Sequence, residues 1–168
     1  MCIKPLWTSY YQKHQQLPIQ QMNKTEKNYL FYLLSKLEYS QQQLREKLLA
    51  RNNISTTEIE QLLEEFADQG WQSDSRYIKG LLSKCLSKYY GLARIRQKVV
   101  YEKKMPQEVL DNALATLEVD WFELAKKCYL KKYADKPIID EKDKYKRLQY
   151  LLRYGHTFEM AQYALSQS

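Results

Sequence analysis

The chain has 168 residues, of which 44% are apolar and 28% are charged, with only 4 glycines and 4 prolines. This composition is typical of a helical protein, and no stretch approaches the roughly 18 uncharged apolar residues of a membrane span. The three cysteines, Cys2, Cys85 and Cys128, are widely separated and form no metal-binding or redox pair, so we expect reduced thiols in a cytoplasmic protein.

The first 24 residues are rich in glutamine and contain Pro5 and Pro18. This composition predicts a partly disordered leader over residues 1–24. Three amphipathic helices should follow in residues 25–72, because apolar residues recur there at steps of three and four. Ser40 is the expected cap of the second helix and Ser55 that of the third, which Gly70 should end.

The same pattern returns in residues 73–118. We predict a helix from Ser75 to about Tyr89, a break at Gly91, a helix from Leu92 to Lys103, and a third that begins at Pro106 and ends at Leu117. A final set of helices should occupy residues 119–168. There, the acidic group Asp140, Glu141 and Asp143 precedes several basic residues at a helix start, so we interpret it as capping and not as catalysis.

An internal repeat becomes visible when the chain is shifted against itself by 51 residues. Hydrophobic positions then coincide in three places, and Arg45 falls on Arg96 and on Arg147. The prediction is an all-α fold: an elongated right-handed array of three tandem three-helix repeats, which stabilise one another at their interfaces.

Charge is distributed unevenly over a chain whose formal net charge is +7. Residues 54–75 hold six acidic residues and no basic one, whereas residues 76–104 hold nine basic residues against Glu102 alone. Such opposed fields steer association, so we expect the basic zone to contact an anionic partner.

The segment from Lys88 to Val99 concentrates this positive charge beside two tyrosines and a turn glycine. Cations at the start of a helix oppose its dipole, which makes an external anionic partner one plausible compensation and a solvated helix face the plainer alternative. The predicted contact patch consists of Lys88, Tyr89, Tyr90, Arg94, Arg96 and Lys98.

Each member of this patch also has a structural interpretation. Arg96 recurs as Arg45 and Arg147, so it could be a structural residue that pairs with the acidic helix of its own repeat, and Tyr89 and Tyr90 could be core or turn packing. A possible secondary basic contact comprises Arg45, Lys126, Lys127, Lys131 and Lys132. For the four lysines, a solvated face is the alternative.

Other notable residues are interpreted as structural. Trp71, Trp121 and Phe122 are predicted to pack between repeats, and His156 is interpreted as a tolerated substitution on an apolar face.

Four separate segments resemble the RecX regulatory proteins over roughly residues 26–165. They are Ser40–Leu49, Asp74-Ser75-Arg76-Tyr77, the run Lys88-Tyr-Tyr-Gly-Leu-Ala-Arg-Ile-Arg-Gln97, and Asp120–Ala125. The resemblance implies tandem three-helix repeats and a protein that lies in the groove of the RecA nucleoprotein filament. It also implies inhibition of the recombinase, ATPase and coprotease activities of RecA, and thereby modulation of homologous recombination and the SOS response.

Two departures from the family pattern concern turns. The family usually has Lys-Gly-Tyr-Gly-Pro at the middle turn, where this chain has Tyr89 in place of the first glycine and Leu92 in place of the proline. Tyr133-Ala134 stands where an aromatic-glycine pair is usual, and His156 where an aromatic residue is common.

The implied partners are RecA, its filament, and single- or double-stranded DNA, and we expect a monomer. The alternative is a general nucleic-acid-binding helical protein that acts without RecA. An enzyme is disfavoured, because the sequence holds no phosphate-binding loop, no metal-ligand spacing and no Ser-His-Asp context. We therefore predict no catalytic residue, no metal and no cofactor.

Overall fold

The computed structural model describes residues 19–134 and 136–167, with side chains from residue 24 onward. All regular secondary structure in these residues is helical, as the sequence predicts. The chain divides into two compact units, Met1–Ser73 and Asp74–Ser168. None of the helices in these ranges is long and apolar enough to cross a membrane.

The first unit contains helices α1 (Ile19–Leu34), α2 (Gln41–Arg51) and α3 (Thr56–Asp68). The predicted caps are confirmed: Ser40 and Ser55 each form a capping box, in which the N-cap hydroxyl accepts from the backbone three residues later. Helix α1 begins inside the stretch assigned to the leader, because no helix breaker follows Pro18 before Leu34. Residues 1–18 of the predicted leader lie outside the described residues.

The core of the first unit is a cluster of buried leucines with Ile59 and Phe66, drawn from all three helices. Beside it, the buried carboxylate of Glu26 accepts hydrogen bonds from Arg51 Nε at 2.7 Å and Asn53 Nδ2 at 2.7 Å. Trp71 packs against the ring of Phe66 at a centroid distance of 5.0 Å. The sequence predicts packing between repeats for Trp71, whereas this contact lies within the first unit.

The second unit contains the remaining helices. These are α4 (Asp74–Leu86), α5 (Leu92–Arg96), α6 (Gln107–Ala115), α7 (Trp121–Tyr133), α8 (Glu141–Arg153) and α9 (Phe158–Ser166). Gly91 is the N-cap of α5, and Pro106 is the N-cap of α6 instead of its first helical residue. Asp140 caps α8 by accepting from the backbone N–H of Asp143 at 2.7 Å, which confirms the capping interpretation.

The helix predicted from Leu92 to Lys103 is α-helical only as far as Arg96. It continues as a π-helical segment, Gln97–Glu102, in which hydrogen bonds span five residues instead of four and the helix is wider. Lys103 N–H, for example, donates to the carbonyl of Lys98 at 3.0 Å. Apolar spacing predicts that a helix is present but not which carbonyl each N–H chooses, so this local change was not predicted.

Two clusters of buried side chains form the core of the second unit. One comes from α4, α5, the π-helical segment and α6, and the other from α7, α8 and α9. Phe122, which the sequence placed in packing between repeats, contacts Tyr163 of α9 edge-to-face at 5.4 Å. Trp121 packs against the cluster that contains α4 and α6, as expected for a residue between two helical layers.

Arg147 fixes the connection between α7 and α8. Arg147 is 3% exposed, and its guanidinium donates to the Tyr129 hydroxyl at 2.6 Å and to the backbone carbonyls of Lys136 and Pro137. It also pairs with Asp143 at 2.7 Å, and this hydrogen bond holds the pKa of Asp143 below its usual value. A buried arginine is thus satisfied by neighbours from its own layer of helices.

Candidate anion-binding groove

The turn between α4 and α5 has the hydrogen bonds of a Schellman motif. Tyr89 N–H donates to the carbonyl of Leu86 at 2.9 Å, and Tyr90 N–H donates to that of Cys85 at 3.1 Å. This geometry places Tyr89 at the left-handed position, with a φ of 57°. This left-handed position favours glycine, and the family that the sequence resembles usually has a glycine at this place in the turn.

Helix α5 begins against the end of α8. Gly91 N–H donates to the carbonyl of Tyr154 at 2.8 Å, and Ala93 N–H donates to that of Gly155 at 3.2 Å. The positive end of one helix dipole therefore faces the negative end of another. This arrangement supplies an internal compensation for the cations at the start of α5, which the sequence had linked to an external partner.

His156 forms a third link between these segments. Its Nε2 lies 2.9 Å from the carbonyl oxygen of Tyr89, which is 67 residues away in the chain, so the residue interpreted as a tolerated substitution also makes a tertiary polar contact. His156 is 4% exposed, and burial lowers the pKa of its imidazole while the hydrogen bond to Tyr89 opposes that shift. The neutral imidazole can donate from Nε2 to the carbonyl.

A groove of about 470 Å³, lined by three helices, lies next to this contact between the start of α5 and the end of α8. Helix α5 and the turn before it supply Arg94 and Tyr90, α7 supplies Lys132, and the end of α8 supplies Tyr150, Arg153 and Tyr154. We call these six residues the basic groove. Three of them are cations, and none of the six is a carboxylate.

The aromatic residues of the basic groove contact one another and its cations. Tyr150 and Tyr154 have ring centroids 4.5 Å apart, and Tyr90 lies 5.6 Å from Tyr154. The Lys132 ammonium sits 3.9 Å above the Tyr150 ring. Burial raises the pKa of the Tyr150 hydroxyl, as does its hydrogen bond with Tyr154, so Tyr150 stays protonated at neutral pH.

The structure separates the predicted contact patch into different environments. Tyr90 and Arg94 line the basic groove, while Tyr89 is half-buried against the cluster of α7, α8 and α9. Lys88 is exposed, and Lys98 pairs with Glu102 at 3.2 Å. The partial burial of Tyr89 and Tyr90 supports the packing interpretation, although it leaves part of each ring accessible.

The three arginines that a 51-residue shift of the sequence aligns have different surroundings. Arg45 pairs with Glu60 through two hydrogen bonds, of 2.6 and 2.7 Å, which lower the pKa of that carboxyl. Arg147 is buried and fixes the connection between α7 and α8, as described above. Arg96 has a buried Nε without a hydrogen-bond partner among the described residues, so the pairing proposed for it is not seen there.

Among the secondary candidates, only Lys132 lines the basic groove. Lys131 lies nearby, with its ammonium 5.1 Å from the Tyr89 ring centroid. Lys126 is half-buried and Lys127 is exposed on the same helix, α7. Arg45 belongs to the first unit, and its guanidinium forms an ion pair with Glu60.

Sequence reasoning missed Tyr150, Arg153 and Tyr154. They follow Arg94 by more than fifty positions, and no local motif connects them to it. A usable signal was present in Arg153-Tyr154-Gly155, which has the basic residue and the glycine typical of a helix end.

Curated relatives share most of the chain. Regulatory protein RecX of Haemophilus influenzae (strain PittEE) is 36% identical over 132 residues, which cover 76% of this chain and 84% of the relative. This similarity is high enough and long enough to decide the family. The chain belongs to the RecX family.

Other RecX relatives agree with this assignment. Regulatory protein RecX of Actinobacillus pleuropneumoniae serotype 5b is 37% identical over 133 residues, covering 79% of this chain and 85% of the relative. That of Vibrio vulnificus is 34% identical over 134 residues, covering 80% and 86%. No family model matches the chain. The names of these relatives describe regulatory proteins and not enzymes.

Proposed function

We propose that this RecX-family protein binds the RecA-DNA filament in its groove and inhibits recombinase, ATPase and coprotease activity. It would thereby modulate homologous recombination and the SOS response in the bacterial cytoplasm, where its partner works. The observation that carries the proposal is the match to RecX regulatory proteins over about four fifths of the chain. The basic surface of the second unit is consistent with an anionic filament as partner.

The proposed architecture is three tandem three-helix repeats, over residues 25–72, 73–118 and 119–168. Its support is the grouping of buried side chains into three clusters, each drawn from consecutive helices. Hydrogen bonds from Gly91 and Ala93 to the end of α8 join the second and third repeats. The protein acts in this proposal as a monomer.

Inhibition in this proposal requires occupancy and no chemical step. A regulator that lies in the filament groove would obstruct subunit exchange, strand entry or ATP turnover. We propose Lys88, Arg94, Arg96 and Lys98 as the cationic contacts, with the accessible parts of Tyr89 and Tyr90 beside them. Guanidinium groups suit this role, because their planar fork binds carboxylate or phosphate through two hydrogen bonds.

A second candidate function is nucleic-acid binding without recombinase. The observation that favours it is the basic groove, whose three cations face no lining carboxylate. Binding of naked DNA should weaken steeply with salt, since each neutralised phosphate releases counterions. Regulation of the filament should instead require assembled RecA on DNA.

The test is the single-stranded-DNA-dependent ATPase rate of the cognate RecA during titration with this protein from far below stoichiometry. The variant is Arg94→Glu/Lys98→Glu, which reverses two charges beside the turn and leaves the partly buried Arg96 unchanged. The matched control is Lys79→Glu/Lys84→Glu, which makes the same charge change on exposed positions of α4. Circular dichroism verifies that each variant is folded.

Substoichiometric loss of ATPase with the wild type and the control, relieved in the Arg94 and Lys98 variant, would support both the function and the contact patch. Inhibition that survives in both variants would keep the function and reject the patch. An unchanged ATPase rate with folded wild type would reject regulation of RecA and leave plain nucleic-acid binding.

A further inference from the structure

The basic groove has a charge composition that its own neighbours do not balance. Arg94, Lys132 and Arg153 come from α5, α7 and α8, and no Asp or Glu lines the groove with them. One guanidinium nitrogen of Arg94 donates to the amide oxygen of Gln97 at 2.8 Å, but this amide is neutral and does not balance the charge. Like charges that converge in a concave site repel each other and raise the local potential, so the groove favours an anion.

The groove is also prepared for a ligand by its aromatic floor. Tyr150 is 9% exposed and packs on Tyr154, so the floor is fixed by the core below it. The Tyr150 ring holds the Lys132 ammonium at 3.9 Å, which keeps a flexible side chain at the edge of the groove. Positioning of this kind reduces the entropy lost when a ligand binds.

Phosphate suits this site better than a carboxylate does. Two guanidinium groups and one ammonium, carried by three different helices, present many donors, and phosphate oxygens accept from several donors at once. Tyr90 and Tyr154 are half-buried, and their accessible ring surface lies beside the cations, where a base could stack. A volume of about 470 Å³ lies within the range of small-ligand pockets.

We propose that the basic groove binds the phosphate of a nucleotide unit, with its base against the tyrosine surface. The unit belongs either to a single nucleic-acid strand or to a free nucleotide, since both present the same chemistry. Arg153 and Lys132 are the principal phosphate contacts, and Arg94 completes the site. The biological context rests on the proposed regulation of a RecA filament, but binding itself requires no recombinase.

The experiment measures the fluorescence anisotropy of a labelled oligothymidylate during titration with the full chain, at two salt concentrations. The test variant is Lys132→Met/Arg153→Gln, which removes two charges and retains most of each side-chain stem. The matched control is Lys142→Met/Lys146→Gln, which removes the same charges from exposed positions near the other end of α8. The two variants have equal net charge, so long-range electrostatics change equally.

We expect the test variant to bind the oligonucleotide about tenfold or more weakly, and the control to change by less than about twofold. The single variant Arg153→Gln, at an exposed position, should show an intermediate loss and serves if the double variant does not fold. Competition of ATP and of inorganic phosphate with the labelled oligonucleotide distinguishes a free nucleotide from a nucleic-acid strand as the ligand. Displacement by ATP at low concentration identifies a free nucleotide as ligand, and resistance to both identifies the strand.

Equal weakening in the test and control variants would overturn the proposal, because binding would then follow net charge alone. Failure of the wild type to bind the oligonucleotide, ATP and phosphate would also overturn it. The ATPase assay with the same variants separates this failure from failure of the proposed function. Inhibition of RecA that persists without any nucleotide binding would leave the regulator intact and remove the groove from it.

Discussion

Gly91 and Gly155 bring two backbone segments of the second unit into direct contact. A Cβ atom on Gly91 would clash with the carbonyl group of Gly155, and a Cβ on Gly155 would lie 2.6 Å from the Cβ of Arg94. Gly155 also has a φ of 90°, which side chains disfavour. This close approach allows the hydrogen bonds that join the start of α5 to the end of α8.

Gly91→Ala should therefore destabilise the protein by about 2 kcal/mol or more, because the backbone must separate to admit a methyl group. Gly80→Ala is the matched control. Gly80 lies inside α4 with open space around it, and alanine there should stabilise by about 0.5–1 kcal/mol. Urea denaturation of both variants measures the difference in the free energy of unfolding. An unchanged stability of Gly91→Ala would show that the contact between Gly91 and Gly155 is loosely packed.

Ala134→Gly should increase stability. Ala134 follows α7 with a φ of 49° and a ψ of −138°, a conformation that strains any residue with a Cβ. Glycine relieves this strain, and we expect a gain of about 1 kcal/mol after the greater entropy of the unfolded chain is included.

The control for that change is Ala50→Gly, at an exposed position within α2, which should lose about 1 kcal/mol. Thermal unfolding of both variants shows the opposite signs. A loss of stability in Ala134→Gly would mean that the turn is not strained.

Arg147→Ala should destabilise the protein much more than Arg45→Ala, although the sequence spacing aligns the two residues. Loss of Arg147 leaves the Tyr129 hydroxyl and two backbone carbonyls without their donor, which should cost about 3 kcal/mol. Arg45 is partly exposed and pairs with an exposed Glu60, so its loss should cost at most about 1 kcal/mol. Chemical denaturation measures both, and equal effects would contradict the role of Arg147 in fixing the connection between α7 and α8.

Stability should fall as the pH drops below about 6.5, the ordinary pKa of histidine. Burial lowers the pKa of His156 in the folded state, so the unfolded chain takes up a proton first and is favoured. The contribution of neutral His156 is thus complete above the unfolded pKa and is lost as the pH falls toward the folded one. His156→Gln, which can still donate to the Tyr89 carbonyl, should remove this part of the pH dependence.

The measurement for His156 is the free energy of unfolding between pH 8 and pH 5 for both proteins. The lowered pKa values of Glu60 and Asp143 act at lower pH, below the ordinary range of carboxyl groups, and do not obscure it. Parallel curves for wild type and variant would show that His156 does not titrate differently on folding.

Much of the fold follows from local sequence signals. Ser40, Ser55 and Asp140 start helices where the sequence predicts, because a capping side chain and its target N–H are only three residues apart. The left-handed turn at Tyr89 was harder to predict, since the chain has a tyrosine where glycine is favoured. Tertiary contacts with α7 hold it there.

The candidate site was predictable only in part. Tyr90 and Arg94 adjoin the turn glycine and attract notice in the sequence, whereas Arg153 reaches the same groove through the packing of α8 on α5. The fate of Arg96 and Arg147 also depends on packing, because equal spacing along a chain does not fix which acceptors surround a guanidinium. The 51-residue spacing therefore aligns these arginines in the sequence but does not predict their contacts.

The π-helical segment Gln97–Glu102 has a consequence for changes in chain length. A π-helical turn holds more residues than an α-helical turn, so deletion of a residue such as Tyr101, which is 74% exposed, would let the segment end on an ordinary α-helical path. A deletion inside α8 would instead rotate the residues beyond it by about 100° and displace Arg147 from its acceptors. Within the second unit of this chain, a single-residue deletion is thus better accommodated between Gln97 and Glu102 than inside α8.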